Sequence, residues 1–479
     1  MEDKEKILLP EGFENMVRDV IGDSEWNAFV EALADEPSVS IRLNSKITDN
    51  RLQITDSTSL LTPHSSFLTV KWCEHGRYLS ERPKFTYDPL FHAGAYYVQE
   101  ASSMFVWQAL SQLVEQDALV LDMCAAPGGK STAIAQYLSE EGFLVSNEYV
   151  PQRAHVLVEN ITKWGAPNCV VTNNAPRHFE KLKTRFDAIL VDAPCSGEGM
   201  FRKDERAREE WSKANVEMCV ERQREILESA WKVLKPGGVL IYSTCTFNSH
   251  ENEEQVQWLI DEMEAEYLPL KIEEDWMITE TERGYRFLPH KTRGEGLFMA
   301  AVRKQCTMHN AQCTIDAIYC VSDKKKQNKK DRNIKDKTLV QTQIVSLQLS
   351  TLNSPDGFDV IESENKFYAV QKDRMALVDE CRKCLNVLSF GVQMYEQKGK
   401  DLIPQAALAL SQVYKRGVYP EAELSYEEAI SFLRKEAIVL ADAPRGFVLV
   451  TYGGLPLGWV KNIGNRCNNL YPEFWRIRN

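Results

Sequence analysis

The chain has 479 residues and a formal net charge of −12, with 26% charged and 43% hydrophobic residues. Such a length accommodates about two to four domains with chain enough to bury their cores, and the composition is that of a globular protein, not a fibrous or disordered one. The acidic surplus excludes indiscriminate coating of nucleic acid while leaving room for a local basic face, and no apolar run nears the ~18 residues of a membrane span.

The opening Met-Glu-Asp-Lys-Glu-Lys lacks the basic start and apolar core of an export signal. The twelve cysteines therefore read as reduced thiols of a cytoplasmic protein. Between about 12 and 34, Phe13, Met16, Val17, Val20 and Ile21, then Trp26, Phe29, Val30 and Leu33, recur at helical spacing. Residues 38–44 read as a strand, and a polar, irregular stretch follows to about Tyr87. Together these predict a small α+β N-terminal module over 1–86.

From residue 118 strands and helices alternate. Strand 118–123 meets a glycine turn and helix 131–138; strand 143–148 precedes helix 153–164. Strand 168–172 leads to 186–192, an apolar run suited to a buried parallel strand. Helix 211–234 is stopped by Lys235-Pro-Gly-Gly238, strand 239–243 follows, and Asn248-Ser-His-Glu251 resembles a capping box opening helix 251–263. This order predicts an α/β, doubly wound parallel sheet over 87–305, with ligands at the carboxyl ends of its strands. Residues 306–337 read as a basic, Lys- and Asn-rich linker. In 338–479 order returns, with strand-like 447–452 and 456–460 flanking Gly453-Gly454, a hairpin signal.

Three motifs fall at the predicted carboxyl ends. The turn Cys124-Ala125-Ala126-Pro127-Gly128-Gly129-Lys130 lacks the spacings of dinucleotide and P-loop sites, yet its glycines let backbone approach a ligand at a helix N-terminus; a purely structural turn is the alternative. Glu148, ending the next strand, is placed to bind a ribose hydroxyl pair, against the alternative of a solvated strand-end carboxylate. Asp192 ends an apolar strand and needs partners, or merely caps an amide. It opens Asp192-Ala-Pro-Cys195-Ser-Gly-Glu-Gly199, where amino methyltransferases carry Asp/Asn-Pro-Pro-Tyr/Phe; a cysteine here disfavours methylation on nitrogen and supplies a nucleophile. Cys245 sits in Ser243-Thr-Cys-Thr-Phe247, at the next strand end. A thiolate beside a methyl donor can attack a pyrimidine ring, activate it, and leave, so the constellation points to methylation at carbon. Cys73, Cys169, Cys219 and Cys467 are read as small buried hydrophobes. Cys381 and Cys384 lack a second pair for a zinc site, and Cys306, Cys313 and Cys320 recur as on one helix face; no metal is expected.

On these residues, with Gly94-Ala-Tyr-Tyr-Val-Gln-Glu-Ala-Ser-Ser103 ahead of them, the chain resembles the RNA (cytosine-5)-methyltransferase family from about Tyr87 to Arg303. Met200-Phe-Arg-Lys203 and the C-terminal extension are most similar to the bacterial F-type enzymes that methylate small-subunit ribosomal RNA, whose extension includes a PUA-like RNA-binding module similar to residues 446–478. The resemblance implies a Rossmann-like class I methyltransferase domain and a PUA-like α+β C-terminal region. It implies that S-adenosyl-L-methionine is held by Cys124, Ala125, Ala126, Pro127, Gly128, Gly129, Lys130, Glu148 and Asp192. It further implies Cys245 as nucleophile at carbon 6 and Cys195 in product release, with Lys130 or Asp192 gripping the base. The implied partner is ribosomal RNA or the small ribosomal subunit, with no membrane. One departure stands out: many members carry an aspartate for the adenine within the stretch matching Thr172-Asn-Asn-Ala-Pro176, and this chain has none. The rival readings are methylation of tRNA or of DNA, with Cys195 attacking in the DNA case, and a non-catalytic RNA-binding assembly factor.

Overall fold

Gly22 splits the N-terminal helical pattern. Its backbone lies at φ 89°, ending helix Phe13–Ile21 before helix Trp26–Leu33 begins, as glycine readily does at a helix terminus. The computed structural model describes residues 7–45, 68–306 and 349–478; the linker expected over 306–337 lies outside these apart from Cys306, as do Cys313 and Cys320. Strands β1 (Val39–Leu43), β2 (Leu68–Val70), β3 (Cys73–Leu79) and β4 (Tyr96–Val98) make an antiparallel sheet in the order β2-β3-β1-β4. The stretch expected as irregular to Tyr87 therefore holds two strands. Their polar alternation belongs to a half-buried sheet: Cys73, Gly76, Tyr78 and Leu79 are buried while Glu74 is exposed.

The expected alternation forms a five-strand parallel core from β5 (Leu119–Asp122), β6 (Phe143–Asn147), β7 (Cys169–Thr172), β8 (Phe186–Asp192) and β9 (Leu234–Thr244). β5, β6 and β7 are buried throughout, as parallel strands covered on both faces must be. The sheet is not wholly parallel: β10 (Ala265–Tyr267), β11 (Thr279–Thr281), β12 (Gly284–Phe287) and β13 (Leu297–Lys304) extend it antiparallel beyond β9. Helix Lys213–Val233 starts two residues later than expected, capped by the Ser212 hydroxyl, which accepts from Asn215 N. Lys235-Pro-Gly-Gly238 does not separate helix from strand. Leu234 already pairs with Phe186 and Val239 with Ala188, so these four residues bulge within β9.

Past the linker, β14 (Phe358–Ser363) and β15 (Lys366–Gln371) are followed by helix Met375–Cys384, β16 (Val387–Phe390), β17 (Val392–Lys398) and β18 (Asp401–Pro404). β14, β15, β17 and β18 form their own sheet, but β16 leaves it to pair antiparallel with β7. The central sheet thus runs β11-β12-β13-β9-β8-β5-β6-β7-β16. Val170, Phe179 and Leu182 share one core with Val370, Leu377, Val378, Cys381 and Phe390, so Cys381 packs as a hydrophobe. A last sheet, β19 (Glu421–Glu423), β20 (Gly446–Tyr452), β21 (Leu455–Asn462) and β22 (Cys467–Asn469), contains the expected hairpin. Gly453 and Gly454 turn it at φ 57° and 76°, the left-handed pair a two-residue hairpin favours.

Candidate active site

The order β7-β6-β5-β8-β9 sends the chain to opposite sides of β5, and ligands bind in the crevice such a reversal opens at the carboxyl ends. Five of the expected residues lie along that edge: Lys130 after β5, Glu148 after β6, Asp192 at the end of β8, Cys195 beyond it and Cys245 after β9.

Cys195 Sγ stands 3.2 Å from Cys245 Sγ, and Cys245 N donates to Cys195 Sγ at 3.3 Å. The hydrogen bond with Cys245 and then burial hold the Cys195 thiol well above its ordinary pKa, so it keeps its proton at neutral pH. Lys130 Nζ lies 2.7 Å from Asp192 Oδ2, and Ser243 Oγ donates to Asp192 Oδ1 at 2.7 Å. Burial alone would lower the Lys130 pKa, but the charge and hydrogen bond of Asp192, with Cys245 nearby, raise it. Lys130 is therefore a firm cation beside the cysteines.

Two buried carboxylates without a part in the sequence-predicted site, Glu198 and Glu251, lace the cysteine loops together. Glu198 accepts from Phe247 N (2.7 Å), Asn248 N (2.9 Å), Asn248 Nδ2 (2.9 Å) and Trp211 Nε1 (3.0 Å). Glu251 accepts from Ser196 N (3.0 Å), Gln223 Nε2 (2.8 Å), Asn248 Nδ2 (2.8 Å) and the Ser196 hydroxyl. The capping box expected at 248–251 is thereby only half present. Asn248 Oδ1 accepts from Glu251 N, but the carboxylate serves the Cys195 loop and the helix starts at Glu253. Gly199 N donates to Cys245 O at 2.8 Å, and a Cβ at Gly199 would meet that oxygen and Gly296 O at 3.0 Å, so this crossing favours glycine. The N-terminal helices buttress both loops from outside: Phe13 packs on Phe201 at 5.1 Å and Phe29 edge-on against Phe247 at 5.0 Å.

On the other side of β5, Gly128 sits at φ 119°, a backbone region that favours glycine, immediately before helix Gly129–Tyr137. Arg42 of β1, fully buried, braces that helix by donating to Gly129 O (3.2 Å), Gln99 Oε1 (2.8 Å), Thr132 Oγ1 and Gln136 Oε1, over the Trp164 ring. Burial lowers its pKa to about 10, leaving it charged at neutral pH. Glu148 is buried; Oε1 accepts from Val150 N at 2.8 Å and Oε2 lies 3.7 Å from Arg153. Asp122 at the end of β5 accepts from Ser131 Oγ at 2.6 Å, while its buried Oδ1 has no hydrogen-bond partner among the described residues; burial pushes its pKa up to about 7. Three carboxyl groups at adjacent strand ends around a glycine turn make a cradle of acidic side chains, two of them facing Lys130 and Arg153, which supplies hydrogen-bond acceptors for the hydroxyl and amino groups of an adenosyl cofactor. Within 172–176, where the resemblance leads one to look for an aspartate, Asn173 Nδ2 donates to Glu148 O (2.7 Å) and Tyr149 O (2.9 Å), and Asn174 turns toward the C-terminal region.

Residues 109–303 match the family model of 16S rRNA methyltransferase RsmB/F, 9–101 the N-terminal domain of 16S rRNA methyltransferase RsmF, and 419–477 the methyltransferase RsmF PUA domain. The chain is 31% identical over 483 residues to the ribosomal RNA small subunit methyltransferase F of Citrobacter koseri, covering 98% of this chain and 96% of that one. It is 32% identical over 462 residues to the namesake of Shewanella sp. strain ANA-3, covering 93% and 92%. Among solved structures, a methyltransferase homolog protein from Pyrococcus horikoshii is similar at 28% identity and TM-score 0.51, over 61% of this chain and 94% of that one. NSun6 from the same organism, solved with SFG, shares the fold at 22% identity and TM-score 0.51, over 62% and 99%. With three family models in register and relatives above 30% identity along nearly its whole length, this chain belongs to the RsmF family of ribosomal RNA small subunit methyltransferases.

Proposed function

We propose that this protein methylates carbon 5 of a cytosine in 16S ribosomal RNA, using S-adenosyl-L-methionine, with Cys245 as the attacking thiol. The observation that carries the reading is the sulfur pair 3.2 Å apart, beside the Lys130–Asp192 pair and the acidic cradle. When bound, the cofactor supplies an electrophilic methyl group on a positively charged sulfur. Residues 124–130 and Glu148 would hold it, with Asp192 facing both it and the base.

A cytosine reaches this edge only by leaving its stack. Lys130 and Asp192 then engage its polar edge, and the Cys245 thiolate attacks carbon 6, which makes carbon 5 nucleophilic. Lys130 gives the thiolate a positive neighbour. Cys195 acts later. Its proton is held first by the bond to Cys245 and then by burial; once Cys245 is bonded to carbon 6 the first of these causes is gone, and Cys195 hands that proton to water in the cleft. It can then take the proton from carbon 5, so that the electron pair returns to the ring and Cys245 departs.

The region after 349 positions RNA rather than reacting. Of the aromatic tail, Tyr471 is buried against Phe432, whereas the Phe474 ring is 94% exposed, a face on which an unstacked base can lie. The test is transfer of label from the cofactor to naked 16S RNA, assembled small subunits, tRNA and DNA, with the product mapped as 5-methylcytosine. Label in 16S RNA or the subunit is expected. Label confined to tRNA or DNA, or no transfer at all, refutes the reading.

A further inference from the structure

The C-terminal region reaches the carboxyl edge of the sheet through β16, and it does so at the loop after β7. Val387 pairs with Thr172, Ser389 with Val171 and Phe390 with Val170. Just before β16, Asn386 O accepts from Asn173 N at 2.9 Å and from Asn174 Nδ2 at 3.2 Å, while Asn386 N donates to Asn174 Oδ1 at 3.1 Å. The Asn174 amide thus closes a two-way clamp on a backbone more than two hundred residues downstream.

The clamp continues inward. Asn174 N donates to Asn147 Oδ1 at 3.0 Å, and Asn147 Nδ2 donates to Asn174 O and to Met123 O. Asn147 O accepts from Ala125 N at 2.8 Å. One chain of hydrogen bonds therefore links the start of β16 to the loop holding Glu148 and to the turn 124–130. Asn147, Asn174, Met123 and Ala125 are buried and Asn173 is half-buried, with Asn386 alone exposed at the outer end; inside that edge a lost partner is costly.

We propose that the Asn174–Asn386 clamp makes the C-terminal region a wall of the cofactor site, so that these positioning residues set affinity for the adenosyl end of the cofactor. This rests on residues 124–130 and Glu148 forming that site. The physical reason is strand order. With a ribose at the end of β6, the next neighbour at that edge is the end of β7, whose shape β16 determines. A carboxylate at 174 would set two oxygens against each other at Asn386 O; an amide matches both groups of that backbone.

The test uses the full-length chain and calorimetric binding of S-adenosylhomocysteine and of adenosine. Asn174→Ala removes the clamp; Asn174→Asp keeps size but opposes Asn386 O. Both should weaken both ligands roughly tenfold, as expected for one or two lost buried hydrogen bonds. Glu380→Ala is the control. Glu380 accepts from Lys183 N and Thr184 Oγ1, at the opposite, amino-end edge of β8, so its loss loosens the same docking far from the site and should leave affinity unchanged. Wild-type affinity in both Asn174 variants, or an equal loss in Glu380→Ala, overturns the proposal. Gly128→Val separates the two readings: impaired binding there with intact binding at Asn174 defeats the clamp alone, whereas intact binding in Gly128→Val defeats the site assignment and the clamp with it.

Discussion

The two halves of the carboxyl edge are built by different means. At the β8–β9 end, two nearby loops are tied by the buried carboxylates Glu198 and Glu251, each accepting four hydrogen bonds. At the β6–β7 end, the loops are completed by chain from elsewhere: Arg42 of the N-terminal sheet braces one helix, and β16 closes the edge. The first arrangement holds the two sulfurs 3.2 Å apart on loops tied by buried hydrogen bonds, the kind of positioning covalent catalysis needs. The second ties this end of the edge to both flanking regions, by hydrogen bonds from Arg42 and by strand pairing with β16.

The largest effect expected at the cysteine end is on turnover. Cys245→Ala should abolish methyl transfer and form no RNA adduct. Cys195→Ala should still attack and methylate but fail to release, accumulating a protein–RNA species that survives a denaturing gel. The stable adduct in Cys245→Ala instead would reverse the two roles.

Next comes the lacing itself. Glu198→Ala leaves three buried donors, Phe247 N, Asn248 N and Trp211 Nε1, without their acceptor and should cost about 4 kcal/mol of stability, read from the midpoint of urea unfolding, with turnover falling too. Loss of turnover at unchanged stability would mean that Glu198 acts on the reaction rather than on the loops.

At the other end, Gly128→Val puts a branched side chain where φ is 119° and a Cβ would meet Leu157 and Asn160 at 3.3 and 3.4 Å. A loss of about 2 kcal/mol in cofactor binding is expected, the order of one strained backbone position. Calorimetry on the folded variant reads it directly.

The smallest effect, per pH unit, concerns the junction behind that end. His92 Nε2 donates to Thr86 O at 2.9 Å, while Nδ1 faces Tyr471 Oη at 3.3 Å and Lys163 Nζ at 3.4 Å. Burial first, then Lys163, lowers its pKa to about 3, so the folded ring stays neutral while the unfolded one protonates near pH ~6.5. The stability it contributes is complete above that value and is lost as pH falls toward 3, by about 1.4 kcal/mol per unit. His92→Gln should flatten that slope in acid-unfolding curves; an unchanged slope would place the acid sensitivity elsewhere.

Much of the fold was legible because local rules and the final structure agree. The apolar runs 118–123, 143–148 and 186–192 are buried strands almost at their expected bounds, and the Gly453-Gly454 hairpin turns where its glycines permit. Misreadings fell where tertiary partners overrode local signals. Glu251 left its capping role for Ser196 and Gln223. Lys235-Pro-Gly-Gly238 became a bulge because β8 pairs on both sides of it. β3 looked like loop because half its residues are polar, as a half-buried strand requires.

By itself the sequence placed the candidate reactive side chains. Two cysteines, a glycine turn and two carboxylates stand at strand ends, and strand ends follow from short-range pattern. Only the tertiary structure decided that the sulfurs lie 3.2 Å apart, that Lys130 meets Asp192, and that Asn386 closes the edge beside Asn174. Those relations join residues about fifty to more than two hundred positions apart. They are set by side-chain packing and backbone pairing across the sheet, for which neither periodicity nor local propensity carries a signal.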